Sequence, residues 1–435
     1  MYKNMALGHA LSSIFKKKNM KLLQKKLSEF NVPQLLEAKG MYPFYHKLES
    51  GQDTEVYMRS KKILMFGSNS YLGLTNHPKL IEATTNALNK YGTGASGSRL
   101  MNGNLDLHEE LEEKLAEFVG KPVATVFSTG FQANVGTIPC LLGRNDCLVI
   151  DEKSHASIIE GSRLAFAKTL KYKHNDMQSL ENILTKTDKT KVTLIVTDGV
   201  FSMEGDIAPL DKITELAEKY NASIMLDDAH GLGVMGVDGS GTASHFNLID
   251  KTDIIMGTFS KSLASLGGFV ASDKDTINYI KHHARALIFS AGIPPASAAT
   301  VLKALDIIKA EPHRVEKLWE NTKYAKKCLS DANFEIGNSE SPIIPIFVGE
   351  NVKTYAFASV LIKNGLYVNP VVHPAVEEGK GILRFSLMAT HTYDQINQAV
   401  DVLIKSREHV ETLSLKTCSH FLHKNINHHS WICCN

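Results

Sequence analysis

Ser223-Ile-Met-Leu-Asp-Asp-Ala-His230 and, 31 residues on, Ile254-Ile-Met-Gly-Thr-Phe-Ser-Lys261 share one design: a short apolar burst that ends in charged and hydroxyl side chains. Neither burst alternates polar with apolar, as expected of strands covered on both faces. Val123-Ala-Thr-Val-Phe127, Leu148-Val-Ile150 and Val192-Thr-Leu-Ile-Val196 repeat the pattern. Helical periodicity fills the gaps, as in Leu210–Tyr220 and in Leu107, Leu111, Leu115 and Phe118, a face introduced by Asn104 and Asp106. Alternating strands and helices predict an α/β fold with a mostly parallel central sheet and helices on both faces. A smaller α+β region follows, opening with a long helical stretch from 297 through Trp319 and continuing into a strand over Ile343–Val348. The expected division is a basic N-terminal arm (1–58), a large domain (59–296), a small C-terminal domain (297–411) and a disordered His/Cys-rich tail (412–435). No internal repeat is present.

The formal charge of +2 over 435 residues hides a partition. Residues 1–26 hold seven lysines and 412–435 two more, with no acid in either stretch. Setting those nine aside leaves 39 basic against 46 acidic residues, so residues 27–411 carry −7. That argues against a nucleic-acid groove through the body. The six cysteines form no CxxC pair and no disulfide framework, which favours a reducing cytoplasm. No run is long and apolar enough for a membrane span, and no apolar core precedes a cleavage site. The lysine-rich head reads as a solvated helix, with a membrane-surface amphipathic helix or a transit peptide as the sharper alternatives. Cys418, His420, His423, His428, His429, Cys433 and Cys434 fit no zinc spacing, so no metal is expected.

Two glycine patterns tempt a dinucleotide reading. Gly92-Thr-Gly-Ala-Ser-Gly97 follows a helical segment, and Gly231-Leu-Gly-Val-Met-Gly236 follows a strand but opens no helix. Neither meets the strand–turn–helix requirement. The chemistry lies instead in five loops that follow the bursts: Ser128–Asn134, Asp151–His155, Asp198–Asp206, Asp227–His230 and Gly257–Lys261. Strand ends of a parallel sheet converge on one ligand site. Taken singly, His155 is a satisfied polar side chain, Lys261 a solvated one and Asp227 a cap. Together they supply a lysine, a carboxylate, a flat imidazole and a phosphate cradle at a helix N-terminus, the needs of a pyridoxal phosphate site.

His155, Asp227-Asp-Ala-His230 and Thr258-Phe-Ser-Lys261 resemble the α-oxoamine synthases, pyridoxal-phosphate enzymes of fold type I, over roughly residues 35–410. Phe66–Leu74, Tyr91–Arg99 and Leu383–His391 extend the likeness. It implies that Lys261 carries the cofactor, Asp227 pairs with its ring nitrogen, His230 meets its phenolic oxygen and His155 stacks on the ring and touches substrate. It implies Gly130, Phe131, Ser202, Thr258 and Ser260 around the phosphate. Arg384 would grip the amino-acid carboxylate beside Asn69, and Ser290 and Ala291 would reach the phosphate of a neighbouring subunit in a homodimer. The implied reaction is a decarboxylating condensation of an amino acid with an acyl thioester. Flanking stretches favour L-serine and palmitoyl-CoA, giving 3-oxosphinganine. Ala95-Ser96 is nearer to relatives with other substrates, which leaves cysteate, glycine or alanine open. A catalytically silent partner subunit is disfavoured by the presence of Lys261, His155, Asp227 and Arg384 together.

Overall fold

Thr193-Leu-Ile-Val-Thr-Asp198 is buried at every position, which only a strand with neighbours on both edges and layers on both faces allows. The computed structural model describes residues 21–412. Its strands are β1 (Glu55–Met58), β2 (Lys61–Met65), β3 (Val123–Phe127), β4 (Cys147–Asp151), β5 (Lys168–Tyr172), β6 (Thr193–Asp198), β7 (Ser223–Asp227), β8 (Ile254–Thr258), β9 (Gly268–Ser272), β10 (Ile343–Gly349), β11 (Leu366–Tyr367), β12 (Asn369–Val371) and β13 (Gly381–Ser386). Seven form the central sheet in the order β3-β9-β8-β7-β6-β4-β5. All its neighbours pair in parallel except across β9, which runs antiparallel to β3 and to β8. The mostly parallel α/β sheet expected from the sequence is the one observed.

Side-chain alternation along these strands divides the core into two layers. Ile195, Ile224, Leu226 and Ile255 belong to one buried cluster, with the helices Asp106–Val119, Leu210–Tyr220 and Pro295–Ala310. Leu194, Val196, Met225 and Ile254 belong to the other, against the helices Gly130–Leu141, Ala156–Leu164 and Lys274–His283. Truncating one of these central residues, Leu226→Ala for example, costs about 2–5 kcal/mol. Two strands of the central sheet had no signature in the sequence. Lys168-Thr-Leu-Lys-Tyr172 is an edge strand with exposed lysines, and Gly268-Phe-Val-Ala-Ser272 is the antiparallel insertion. The stretch read as one helix from 297 is two, Pro295–Ala310 and His313–Asp331, with Glu311-Pro312 between them. Proline at 312 lacks the N–H needed to continue the first.

The C-terminal region is built on a three-stranded sheet, β10-β13-β12. The β1–β2 hairpin, which straddles residue 59, adds β11 as a parallel neighbour, so this early segment is hydrogen-bonded to the C-terminal half of the chain. Residue 66 then docks on β13. The Ser386 amide donates to the Phe66 carbonyl at 2.7 Å, and the Phe66 ring stacks on Phe385 and on His391 with centroids 4.4 and 4.0 Å apart. This junction carries Asn69 and Tyr71 to Arg384 on β13. Of the basic head, only Lys21, Lys25 and Lys26 fall within the described residues, and the tail from 413 lies outside them. No helix among the described residues is long and apolar enough to cross a membrane.

Candidate active site

Five of the seven central strands end in the loops singled out above, and the sheet brings their side chains together. Asp227 closes β7 with its carboxylate buried at 3% exposure. Its Oδ2 accepts from Asn134 Nδ2 at 2.6 Å and its Oδ1 from the Ala229 amide at 3.1 Å. Lys261 follows β8, a half-buried residue whose ammonium is enclosed enough to change its chemistry. Burial pulls its pKa down to about 8, helped by Arg384 and opposed by the carboxylates of Asp227, Asp198 and Asp228. An amine in that range is a usable base near neutral pH.

His155 caps the helix Ala156–Leu164. Its Nδ1 accepts from the Ser157 amide at 3.2 Å and lies 2.7 Å from the Ser157 hydroxyl, while its own amide donates to Asp198 at 3.1 Å. The residue is exposed on its open side and crowded on the others. Burial lowers its pKa, as does Lys261, against the raising effect of Asp227. Asp198 itself is held well above the ordinary carboxylate range by burial and by Asp227. His230 is buried, with Nδ1 2.7 Å from the Tyr71 hydroxyl. Burial, then Lys261 and Arg384, push its pKa well down, so it is neutral.

Arg384 is only 5% exposed. Its Nε donates to the Ser202 carbonyl at 2.5 Å, its Nη1 to Asn69 Oδ1 and Ser386 Oγ at 2.9 Å each, and its Nη2 to the Tyr71 hydroxyl at 3.3 Å. All four acceptors are neutral, and among the described residues no carboxylate forms an ion pair with it. A buried cation without a counterion is costly unless a ligand supplies one. The site therefore has a fixed place for an anionic group, and the planar guanidinium suits a carboxylate.

At the opposite end, Gly130 and Phe131 open the helix Gly130–Leu141, and their amides have no intrahelical carbonyl to bind. The Thr258 and Ser260 hydroxyls lie 3.1 Å apart beside them. A Cβ on Gly130 would come within 2.6 Å of Thr258 Oγ1, so only glycine lets helix and loop approach this closely. Free amides at a helix N-terminus with two hydroxyls form a phosphate cradle. The residues thus fit pyridoxal phosphate at both ends: an anion cradle, an amine of lowered pKa and an anchored carboxylate.

Three of the expected residues make contacts of another kind within this chain. Ser202 meets Arg384 through its carbonyl, at the carboxylate end of the site. Ser290 and Ala291 lie against their own chain: Gln132 Nε2 donates to Ser290 Oγ at 3.2 Å and Ser128 Oγ to the Ala291 carbonyl at 2.6 Å. Sequence reading passed over Tyr71, Asn134 and Ser157 as site members. Asn134 and Ser157 sit inside quoted or adjacent stretches, and their signal was a polar side chain on the inward face of an otherwise apolar helix. Asp228, despite its place beside Asp227, is structural. Burial raises its pKa to about 7, and it holds Thr242 through the amide at 2.7 Å and the hydroxyl at 2.6 Å.

A seven-stranded sheet of this kind, with a lysine, a carboxylate, two histidines and a phosphate cradle at its strand ends, defines a pyridoxal-phosphate transferase of fold type I. Residues 61–403 match the aminotransferase class I and II family, and the chain belongs to it. It is 54% identical over 393 residues to the serine palmitoyltransferase of Sphingobacterium spiritivorum, covering 90% of this chain and 98% of that one. It is 41% identical over 381 residues to the 8-amino-7-oxononanoate synthase of Alkaliphilus metalliredigens, covering 87% and 96%. Among solved structures, a serine palmitoyltransferase with its pyridoxal phosphate internal aldimine superposes with a TM-score of 0.87 at 33% identity, covering 91% of this chain and all of that one. The α-oxoamine synthase likeness read from the motifs is the one these comparisons bear out.

Proposed function

We propose that this chain condenses L-serine with a long-chain acyl-CoA, palmitoyl-CoA, releasing CoA and CO2 and forming 3-oxosphinganine, the first step of sphingolipid synthesis. The observation that carries the chemistry is the pairing of Lys261, whose amine is pulled down to about 8, with the buried and unpaired guanidinium of Arg384. The near full-length identity to serine palmitoyltransferases supports the substrates.

When bound, pyridoxal phosphate supplies an electron sink for negative charge at the substrate α-carbon. Lys261 would hold the cofactor and, once displaced by the amino acid, take the α-proton. The carboxylate of Asp227, fixed by Asn134 and the Ala229 amide, would hold the ring nitrogen. Neutral His230, with its Nδ1 engaged by Tyr71, would offer Nε2–H to the phenolic oxygen. Gly130, Phe131, Thr258 and Ser260 would hold the phosphate. Arg384, steadied by Asn69, Ser386 and the Ser202 carbonyl, would bind the serine carboxylate, and His155 would cover the ring and meet the substrate. Loss of CoA and of CO2 leaves the new carbon–carbon bond between the serine α-carbon and the acyl carbonyl.

Two finer readings belong here. The chain acts as a homodimer in which Ser290 and Ala291 also reach the partner's phosphate, a reading supported by the exposed Phe289, Leu100 and Met101 near them. The basic arm touches an anionic membrane, a reading supported by exposed Leu22, Leu23 and Leu27 beside Lys25 and Lys26. Unchanged vesicle binding after deletion of 1–26 removes the second.

The test is CoA release and product formation with palmitoyl-CoA and, separately, serine, glycine, alanine and cysteate. Serine should lead, and Lys261→Ala should abolish turnover. Turnover by that variant, or a different preferred amino acid, overturns the reading.

A further inference from the structure

Asn134 is fully buried on the helix Gly130–Leu141, and its amide nitrogen makes two short contacts. It lies 2.6 Å from Asp227 Oδ2 and 2.8 Å from Ser157 Oγ. A carboxylate oxygen only accepts, so the Asn134 NH2 must face it; the reversed amide would set two acceptors together. The second amide hydrogen then points at the Ser157 hydroxyl, which accepts it. That leaves the Ser157 hydroxyl hydrogen free to donate, and the atom 2.7 Å away is His155 Nδ1. The Ser157 backbone N–H points at the same nitrogen from 3.2 Å. Two donors converge on Nδ1, so Nδ1 carries a lone pair and the ring proton sits on Nε2.

We propose that Asn134 and Ser157 are positioning residues that transmit the polarity of the Asp227 carboxylate to His155 and lock its imidazole in the neutral Nε2–H tautomer. The inference deepens the reading of His155 as a substrate-facing group and rests on it for its functional consequence. In that tautomer the outer nitrogen donates a hydrogen bond to an oxygen of the substrate but cannot take a proton from it. Lys261 is then left as the base. The charged groups that act on the ring are Asp227 from β7 and Lys261 beyond β8, and the lowered pKa of His155 agrees with a neutral ring.

The experiment is two-bond 1H–15N correlation of the full-length protein labelled with 15N-histidine, first without cofactor, with His155 assigned by its disappearance in His155→Gln. The wild-type signal should have the Nε2–H pattern. In Ser157→Ala, with one Nδ1 donor removed, the Nδ1–H form should appear and the His155 pKa should rise by about one unit, because a donor to Nδ1 favours the neutral ring. Ser157→Thr, which keeps the hydroxyl, should restore the wild-type pattern. With cofactor and substrates, Ser157→Ala should lower kcat about tenfold with little change in the KM for serine. An Nδ1–H pattern in the wild-type protein overturns the proposal, and so does a tautomer and pKa unmoved in Ser157→Ala. The wild-type measurement stands even if a variant fails to fold. It uses neither serine nor acyl donor, so its failure is separable from failure of the proposed condensation.

Discussion

The Tyr71 hydroxyl stands 2.7 Å from His230 Nδ1, joining a segment that precedes the central sheet to the loop that follows β7. It also accepts from Arg384 at 3.3 Å. One buried phenol thus couples the histidine of the cofactor end to the arginine of the carboxylate end. Burial raises the Tyr71 pKa, so it stays a donor. Tyr71→Phe should leave His230 and Arg384 each short of a partner, at a cost of about 1–3 kcal/mol in urea unfolding. Activity should suffer twice, with kcat lowered and the KM for serine raised, since both ends are disturbed. A change confined to stability would show that the phenol is only structural.

Among the described residues, Arg384 has four neutral acceptors and no counterion. Arg384→Gln should therefore raise the KM for serine by about thirtyfold or more, the order expected when a charged hydrogen-bonded contact worth about 2–5 kcal/mol is removed. Affinity for pyridoxal phosphate, read by titration of cofactor absorbance, should change far less. Equal losses in both would place Arg384 at the cofactor instead of the substrate.

Gly130→Ala puts a methyl group within 2.6 Å of the Thr258 hydroxyl and 2.7 Å of its Cβ. Helix and loop must separate, at about 1–3 kcal/mol. Affinity for pyridoxal phosphate and for inorganic phosphate as its competitor should drop at least tenfold. Undiminished affinity would mean that this helix end does not hold the phosphate.

His174 gives a pH dependence. Burial opposes its charged form, but Asp151 at 3.0 Å and Asp206 at 2.9 Å outweigh that and push its pKa up to about 9. A raised folded pKa means that the folded state binds the proton more tightly than the unfolded chain. The stabilisation is complete below about pH 6.5, the unfolded value, and is lost as pH rises through 9. The wild-type advantage over His174→Gln should shrink by on the order of 3 kcal/mol between pH 6 and pH 10. A constant difference would place the pair's value in packing alone, including the edge contact of His174 with Phe201 at 4.4 Å.

How much of this was legible depended on what each residue does with its side chain. Val192–Val196 announced a buried strand because it is apolar apart from Thr193, and Asp227, His155 and Lys261 stood out as polar groups in the loops that follow such runs, whereas Arg384, inside β13, was reached only through the family resemblance. Lys168–Tyr172 did not, because an edge strand with solvent-facing lysines resembles a polar loop. Asn134 and Ser157 were hidden for a different reason. Their importance lies in direction, one amide hydrogen to a carboxylate and one to a hydroxyl, and a sequence holds no directions. The role of Ser202 toward Arg384 is carried by a backbone carbonyl, which any residue would supply.

The most direct test of the central claim is mass spectrometry of the product formed when the full-length protein, loaded with pyridoxal phosphate, meets equimolar serine, glycine, alanine and cysteate with a mixture of acyl-CoA chain lengths. The account predicts 3-oxosphinganine, from serine and the palmitoyl donor, as the principal product. A dominant product from another amino acid, or from a short acyl donor, would contradict it.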